Sequence, residues 1–452
     1  MGEYIPMKHI DEPSRKTPVL TETDVLVIGG GPGGLSAALA AARQGVDTML
    51  VERYGCFGGV ITQCMIGTLS WYRSNDKVVD AGGIGREFEQ RASSMKASMR
   101  VFHYEILDTE IFKHIADLLV AEAGVAPVLH CATTDPIMDG NTIKGVITES
   151  KSGRMAILAK RVIDATGDAD IAFRSGAPCR KDPKEILEPV TVNFGCSGVN
   201  IPAFIGYIME KKPTIADWGD KSGEKESDEF STFLKEPFDR AKQAGEIPES
   251  AKLESYWGSC TDAGEITTMN AVHMPGIDST DVMDLTKAEI EGRQQVMWAL
   301  AALKKYTPGF EKARLRTMGA SLGTRESRKI LGAYDITEHD VLNQARFDDS
   351  IGIFPEFLDG NDIAIMPSTG RYFQVPYGIV VPRTIENLLV AGRCVAGDKV
   401  SHAATRQMMC CTVTGQGAGT AAALSVKDGV SCREVNISKV QNALKKQAVR
   451  ID

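Results

Sequence analysis

The chain has 452 residues, 43% of them hydrophobic and 24% charged, with a formal net charge of −8. That length exceeds one ordinary core, so two lobes are expected, and the composition is that of a soluble globular protein. The acidic balance disfavours a nucleic-acid surface, which would show as a basic patch or stripe.

No apolar run reaches the ~18 residues that a membrane helix needs. Residues 1–20 are polar and have no apolar signal-peptide core. They read as an extended N-terminal arm, and the expected location is cytoplasmic, with no membrane partner. The ten cysteines are scattered, with no C-x-x-C pair and no zinc or iron–sulfur spacing, so no metal is expected. Most read as buried small hydrophobes in a reducing compartment.

Val25 to Ile28 form a short apolar run that ends in glycines. A helix rich in Ala and Leu follows, a Gln-Gly break closes it, and a second apolar run, Thr48 to Val51, ends in Glu52. Gly29, Gly31 and Gly34 thus fit G-x-G-x-x-G, with a strand before, a helix after and an acid about 20 residues on. Gly29 suits the tight turn, and Gly31 lets backbone approach a pyrophosphate. Gly34 lets the helix lie close to the strand, and the helix N-terminus offers free N–H groups to phosphates. Glu52 would accept hydrogen bonds from ribose hydroxyls. The pattern specifies a dinucleotide without choosing between FAD and NAD.

Gly58-Gly59 is a second place where backbone can pass close to a cofactor. Residues 76–98 read as a loop and a helix. Asp108 or Thr109 caps a further helix, with Ile111, Ile115, Leu118 and Leu119 at helical spacing and Gly124 stopping it. Val125 to Cys131 reads as a strand. Residues 136–163 read as three short strands with turns at Asp139-Gly140-Asn141 and Lys151-Ser152-Gly153. This antiparallel meander leads into the apolar strand Arg161 to Asp164 and then Ala165-Thr166-Gly167-Asp168, where backbone again nears the cofactor. The order is α/β, the layout of a two-dinucleotide-binding-domain flavoprotein: a Rossmann-like FAD domain with an antiparallel β-meander, plus a mixed α+β substrate lobe. A plain NAD-dependent dehydrogenase has no reason to carry the meander.

Residues 176–367 have a different texture and are taken as the substrate or cap domain, between the first (21–175) and second (368–452) parts of the FAD-binding domain. Glu210 to Glu249 is highly charged and reads as a solvated helical face. A strand follows over Glu265 to Met274, then a helix from Thr286 to about Tyr306 that Pro308-Gly309-Phe310 breaks. β character returns over Phe373 to Val381 and Asn387 to Ala391, Gly392-Arg393-Cys394 turns the chain, and a helix begins near Ala403. Thr412 to Val426 is rich in Gly and Ala. A glycine-rich helix start there would aim its dipole at the electron-rich end of a reduced flavin. The other reading is that these small residues permit close helix packing.

Taken together, these stretches resemble the FAD-dependent oxidoreductase family typified by heterodisulfide-reductase-subunit-A-like flavoproteins, within the wider fumarate reductase and succinate dehydrogenase type. The likeness runs from Glu12-Pro13-Ser14-Arg15 to the C-terminus. It includes Val162 to Asp170, Gly323 to Tyr334, Val375-Pro376-Tyr377-Gly378, and Asn387 to Cys394 running on to Arg406 and the Gly-Gln-Gly helix. The resemblance implies non-covalent FAD in an extended pose, with Glu52 on the adenosine ribose, Gly29 to Gly34 on the pyrophosphate and Gly415 to Gly419 at the isoalloxazine end. Candidate cofactor contacts are Gly29, Gly31, Pro32, Gly34, Glu52, Arg53, Gly58, Gly59, Cys131, Thr166, Gly167, Asp168, Gly392, Gly415 and Gly417. There are no ferredoxin-like cysteine clusters, so relay through iron–sulfur centres is unsupported. Ile61 and Ile66 stand where flavoprotein disulfide reductases carry two cysteines, which argues against a redox disulfide there.

A flavin does the redox chemistry itself, so the protein supplies a proton path and an anchor for the substrate. His402 and Arg406 lie one helical turn apart. His402 is the candidate general acid or base, with a structural His bonded to backbone as the equal alternative. Arg325 and Arg328 lie in a polar, Gly-flanked stretch where a guanidinium fork suits a carboxylate, or they pair with Glu326, Asp335 or Glu338. Tyr377 either lends a hydroxyl or packs. Cys410-Cys411 reads as two small residues in a packed helix. His103, His114 and His273 have no convincing company and are assigned nothing.

The reading is an FAD-dependent oxidoreductase or dehydrogenase. It transfers hydride between flavin N5 and a small polar substrate, anionic or not, by alcohol or CH–CH oxidation or by C=C reduction. The first rival is a flavoprotein electron-transfer subunit with a partner protein, which would show a small or absent pocket and a large apolar patch. The second is a flavin-bearing RNA-modification protein, which the acidic balance argues against. A homo-oligomer or a redox partner protein is left open, and no nucleic-acid partner is expected.

Overall fold

The computed structural model describes residues 10–69, 79–101, 104–210, 235–254, 258–360, 363–365 and 370–452. Residues 1–9 of the arm, 76–78 of the expected loop and 211–234 of the charged run lie outside the described residues, as does His103.

Val25 to Ile28 are buried, as a central parallel strand covered on both faces requires. They end β1 (Val19–Ile28), which α1 (Pro32–Arg43) connects to its parallel neighbour β2 (Thr48–Val51). After helices at Val60–Gln63 and Gly83–Ser94, α2 (Thr109–Glu122) starts where the Asp108 carboxylate accepts from the N–H groups of Glu110 and Ile111. It leads to β3 (Ala126–Val128), parallel to β2. β4 (Ala132–Asp139), β5 (Thr142–Ser150) and β6 (Gly153–Asp164) form the antiparallel meander.

The second lobe centres on β7 (Val190–Ser197), β8 (Glu265–Met274), α3 (Val282–Tyr306) and β9 (Arg314–Met318). β7 is the middle strand, antiparallel to both β8 and β9. The chain then returns to the first lobe through β10 (Leu388–Val390), α4 (Lys399–Thr405) and α5 (Met408–Asp428). The long β6 ties the domain together. One edge runs along β1, while the other pairs first with β5 and then, over Val162–Asp164, in parallel with β10. The parallel order is therefore β3-β2-β1-β6-β10, with the meander grown from the same sheet.

Two apolar clusters result. One holds residues from Val25 to Ala177 and again from Ile330 to Ile451, and the other those from Val190 to Leu322. Residues 330–363, assigned by sequence to the second lobe, thus pack with the first core. The pairing of Cys179-Arg180 with Lys329-Ile330 brings the chain back at that point. The strand expected to reach Val381 ends at Pro376, and Tyr377–Val380 form a 3-10 turn. Among the described residues no helix is long and apolar enough to cross a membrane.

Candidate active site

Several turns at the C-terminal ends of the parallel strands meet, as open α/β sheets dictate for ligand sites. After β1, Gly29 takes a φ of +97°, and a Cβ there would lie 2.5 Å from the Ala165 carbonyl. A Cβ on Gly34 would lie 1.7 Å from the Gly29 carbonyl, so the first turn of α1 sits directly against the strand end. Gly31 is different: a Cβ there would meet nothing nearer than the Gly59 Cα at 3.8 Å, and its other side faces a cavity. That open cradle at a helix N-terminus fits a dinucleotide pyrophosphate. Glu52, 5% exposed, accepts from the backbone N–H groups of Gly30 (2.6 Å) and Tyr54 (3.0 Å), so its carboxylate is fixed beside the turn.

The third turn is held by a buried acid. Asp164 accepts from the Thr166 backbone and hydroxyl and from the N–H groups of Ile171 and Ala172. Asp168 follows, bound by the Arg393 guanidinium at 2.8 Å and the Ser327 hydroxyl at 2.6 Å.

The cavity is about 910 Å³, near the top of the range of roughly 300–1,000 Å³ common for cofactor and ligand sites. Its lining includes Gly29, Gly31, Pro32, Glu52, Arg53, Gly59, Cys131, Thr166, Gly167, Asp168 and Gly392. It does not include Gly34, Gly58, Gly415 or Gly417. Gly58 instead donates its N–H to the Gly30 carbonyl at 2.8 Å. Gly415 packs on α1, where a Cβ would be 2.0 Å from the Gly33 carbonyl, and Gly417 packs on Ile351. α5 begins at Met408, so the helix N-terminus at the cavity is that of Gln407 and Met408, with the glycines well inside the helix.

Beyond the glycine turns the lining becomes charged: Glu188, Lys235, Glu254, His273, Arg325, Asp359 and Arg406. The sequence-derived candidates divide here. Arg325 and Arg406 line the cavity, whereas His402, Arg328 and Tyr377 do not. Tyr377 is buried with its hydroxyl donated to the Cys432 carbonyl at 2.8 Å, and burial pushes the phenol well above its usual range. Arg328 donates to the Asp168 carbonyl at 2.9 Å, pairs with Asp170 and stacks on Phe173. His402, 2% exposed, uses Nε2 to hold the Arg325 carbonyl at 3.2 Å, and its Nδ1 has no partner. Burial, with the Lys329 and Arg406 charges, drives its pKa well below the usual imidazole range. His402 therefore stays neutral and positions the backbone of Arg325.

Arg406 pairs with Asp359 at 3.0 Å and keeps a buried Nε without a partner. Arg325 has no carboxylate partner among the described residues. Its Nη1 donates to the Pro189 carbonyl at 2.8 Å, and its Nη2 lies 3.3 Å from His273 Nε2. Burial and the Arg406 charge lower its pKa, and they outweigh the attraction of Asp359, Glu188 and Glu254.

His273, to which sequence reasoning assigned nothing, belongs to this cluster. Its Nδ1 is 3.0 Å from Glu254 and its Nε2 3.1 Å from the Asn270 amide oxygen. The pairing is built by backbone. Residues Lys252 to Glu254 lie along β8, with the His273 N–H on the Lys252 carbonyl and the Glu254 N–H on the Ala271 carbonyl. Burial and the Arg325 charge hold His273 below its usual range, and they outweigh the attraction of Glu254. The hydrogen bond from His273 holds Glu254 down to about 2. Held neutral, the ring donates its Nδ1–H to the anionic carboxylate and turns its Nε2 lone pair toward the Arg325 Nη2 donor 3.3 Å away.

A family model described as FAD dependent oxidoreductase matches residues 24–444. The chain is 29% identical to the thiamine thiazole synthase of Methanococcus vannielii over 163 residues, 34% of this chain and 59% of that protein. It is 30% identical to digeranylgeranylglycerophospholipid reductase 1 of Methanopyrus kandleri over 173 residues, 36% of this chain and 45% of that protein. The chain thus spans about half the length of these relatives. Among solved structures it is similar to a geranylgeranyl bacteriochlorophyll reductase-like protein from Thermoplasma acidophilum, with a TM-score of 0.47 and 13% identity over 95% of this chain and 82% of that one. It is also similar to p-nitrophenol 4-monooxygenase from Pseudomonas putida, with a TM-score of 0.49 and 11% identity over 94% and 84%.

Proposed function

For this chain, which belongs to the FAD-dependent oxidoreductase family, we propose that the charged end of the cavity is a redox site for a small anionic substrate anchored on Arg325. The observation that carries the reading is the Arg325 guanidinium, which lines the cavity without a carboxylate partner among the described residues. A half-buried cation of this kind gains most from a ligand that brings an anion to it, and a planar fork suits a carboxylate. Bound FAD supplies two-electron chemistry, accepting or donating hydride.

Gly29, Gly31, Pro32 and Gly59 would cradle the cofactor's pyrophosphate, and Glu52 and Arg53 would bind its adenosine side, with Thr166 to Asp168 and Gly392 as further contacts. His402 keeps the Arg325 backbone in place, and Arg406 with Asp359 walls the anion site. The substrate region would be built by Glu188, Glu254, Asn270 and His273, together with Arg325, Asp359 and Arg406 from the chain that follows. A cavity that continues to a charged floor favours a small-molecule enzyme over an electron-transfer subunit. A cytoplasmic location goes with this reading, since the ten cysteines are free thiols.

The test is equilibrium titration of the FAD-loaded protein with short mono- and dicarboxylates, following the flavin absorption bands. Arg325→Met should weaken binding by about 30-fold or more, corresponding to the roughly 2 kcal/mol or above that a buried charge contact carries. Equal affinity in the variant would overturn the reading.

A further inference from the structure

The neighbourhood of Arg325 and His273 narrows the substrate class, given the redox reading above. Two nitrogens of different chemistry lie side by side at the charged end of the cavity: Arg325 Nη2, a cationic donor, and His273 Nε2, 3.3 Å away. A 2-hydroxy acid can engage both, with a carboxylate oxygen on Arg325 and the hydroxyl of the adjacent carbon on His273. In a 2-hydroxy acid these two oxygens are about one hydrogen-bond length apart, the separation that two nitrogens in contact can grip together. A 3-hydroxy acid places its hydroxyl one carbon further away.

We propose that the substrate is a 2-hydroxy acid (or, in the reverse direction, a 2-oxo acid), with its carboxylate on Arg325 and its oxygen on His273 Nε2, and that His273, oriented by Glu254, is the proton-transfer residue. In the oxidative direction the hydroxyl proton moves to Nε2 while hydride leaves the same carbon for bound FAD, and the C–O bond becomes C=O. The substrate loses one proton and one hydride, the hydride carrying the two electrons. FAD is the oxidant and His273 receives the proton.

Three features support this assignment beyond the contact itself. The Nδ1–Glu254 hydrogen bond of 3.0 Å orients the ring by a carboxylate, as in a catalytic imidazole, and in that tautomer Nε2 is the accepting nitrogen, with Arg325 Nη2 as its donor at 3.3 Å until a substrate hydroxyl replaces it. The ring sits on β8, with Glu254 locked beside it by two backbone hydrogen bonds, so the pair is rigid. The charged groups at this end are Glu188, Glu254 and Asp359 against Lys235, Arg325 and Arg406, and of these three cations Arg325 alone makes no ion pair with a carboxylate among the described residues.

The test uses the FAD-loaded protein without oxygen, mixed with both enantiomers of lactate and 2-hydroxyglutarate, and with 3-hydroxybutyrate and 2-propanol. At least one 2-hydroxy acid should bleach the flavin at least 100-fold faster than 3-hydroxybutyrate. His273→Gln should slow bleaching at least 100-fold and weaken binding of the matching 2-oxo acid, read from the flavin band shift, by a much smaller factor. Bound FAD per chain and the far-ultraviolet circular dichroism report that the variant has folded. Glu254→Gln, which keeps a polar partner for Nδ1, should move the low-pH limb of the rate profile upward or downward; a profile unchanged from wild type would overturn the orienting role. If 3-hydroxybutyrate or 2-propanol reduces the flavin and no 2-hydroxy acid does, the substrate class is wrong while the redox site stands. If no carboxylate binds or reacts, both readings fall.

Discussion

Replacing Gly31 with alanine separates cofactor binding from folding. Gly31 caps α1 with φ −72° and ψ −177°, a conformation open to alanine, and the added Cβ would touch only the Gly59 Cα at 3.8 Å. The fold should therefore change by less than about 1 kcal/mol. On the ligand side the methyl stands in the cradle where backbone approaches a pyrophosphate. Overfilling a packed contact costs about 1–3 kcal/mol, which converts to FAD binding roughly 5- to 150-fold weaker. Gly415→Ala is the contrasting case. Its Cβ would lie 2.0 Å from the Gly33 carbonyl, between two helix backbones that cannot yield as a flexible side chain can. That variant should melt lower even without FAD and lose the cofactor as a consequence. Thermal melts of the FAD-free proteins and fluorescence titrations with FAD measure both effects. A Gly31→Ala variant that binds FAD within twofold of wild type, or that melts as low as Gly415→Ala, would refute the reasoning.

Lys329 and Glu326 form an ion pair at 2.6 Å with both side chains fully buried; Lys329→Met strands the carboxylate and should cost about 3–5 kcal/mol in denaturant unfolding. Tyr377→Phe should cost about 1–3 kcal/mol, because the buried Cys432 carbonyl loses its donor, while flavin reduction kinetics stay within twofold of wild type. Acid should destabilise the fold through His273 and His402. Both are held neutral in the native state by burial and nearby cations. Below their unfolded value of 6.5 the unfolded chain binds protons that the native chain does not, so stability falls with pH by up to about 1.4 kcal/mol per pH unit for each. Glu254, at about 2 in the fold against 4.5, adds a stabilisation that is present above pH 4.5 and lost as the pH falls toward 2. Urea midpoints measured from pH 7.5 to 4 test the trend, and a stability that rises on going from pH 7 to 5.5 would contradict it.

The features legible in the sequence are those encoded by near neighbours. The glycine turn, the acid at the end of β2, the meander with its two polar turns and the Thr-Gly turn after β6 depend on local period and turn chemistry, and the family resemblance rests on the same stretches. The charged end of the cavity is assembled differently. Glu254 and His273 are 19 residues apart and meet only because Lys252 to Glu254 runs beside β8. Asn270 and His273, three apart, would face opposite ways in a regular strand, and the register shift of β8 against β7 between Met269 and Val272 lies where they meet. His402 and Arg406, adjacent on a helix, gave no means of telling which faces the ligand. The structure assigns Arg406 to the cavity and His402 to the Arg325 carbonyl. The glycines of α5 could be read as a helix start or as a packing seam, and only the location of Met408 at the helix N-terminus separates the two.

The central claim is a redox site for a small anion held by Arg325, and paired ligands test it most directly. Short carboxylic acids and their neutral amides are titrated into the FAD-loaded protein, and the flavin bands are followed. Each acid should perturb or bleach the bands at about 30-fold lower concentration than its amide, and Arg325→Met should abolish the difference. Equal potency of acid and amide, or a preference that survives loss of the guanidinium, would contradict it.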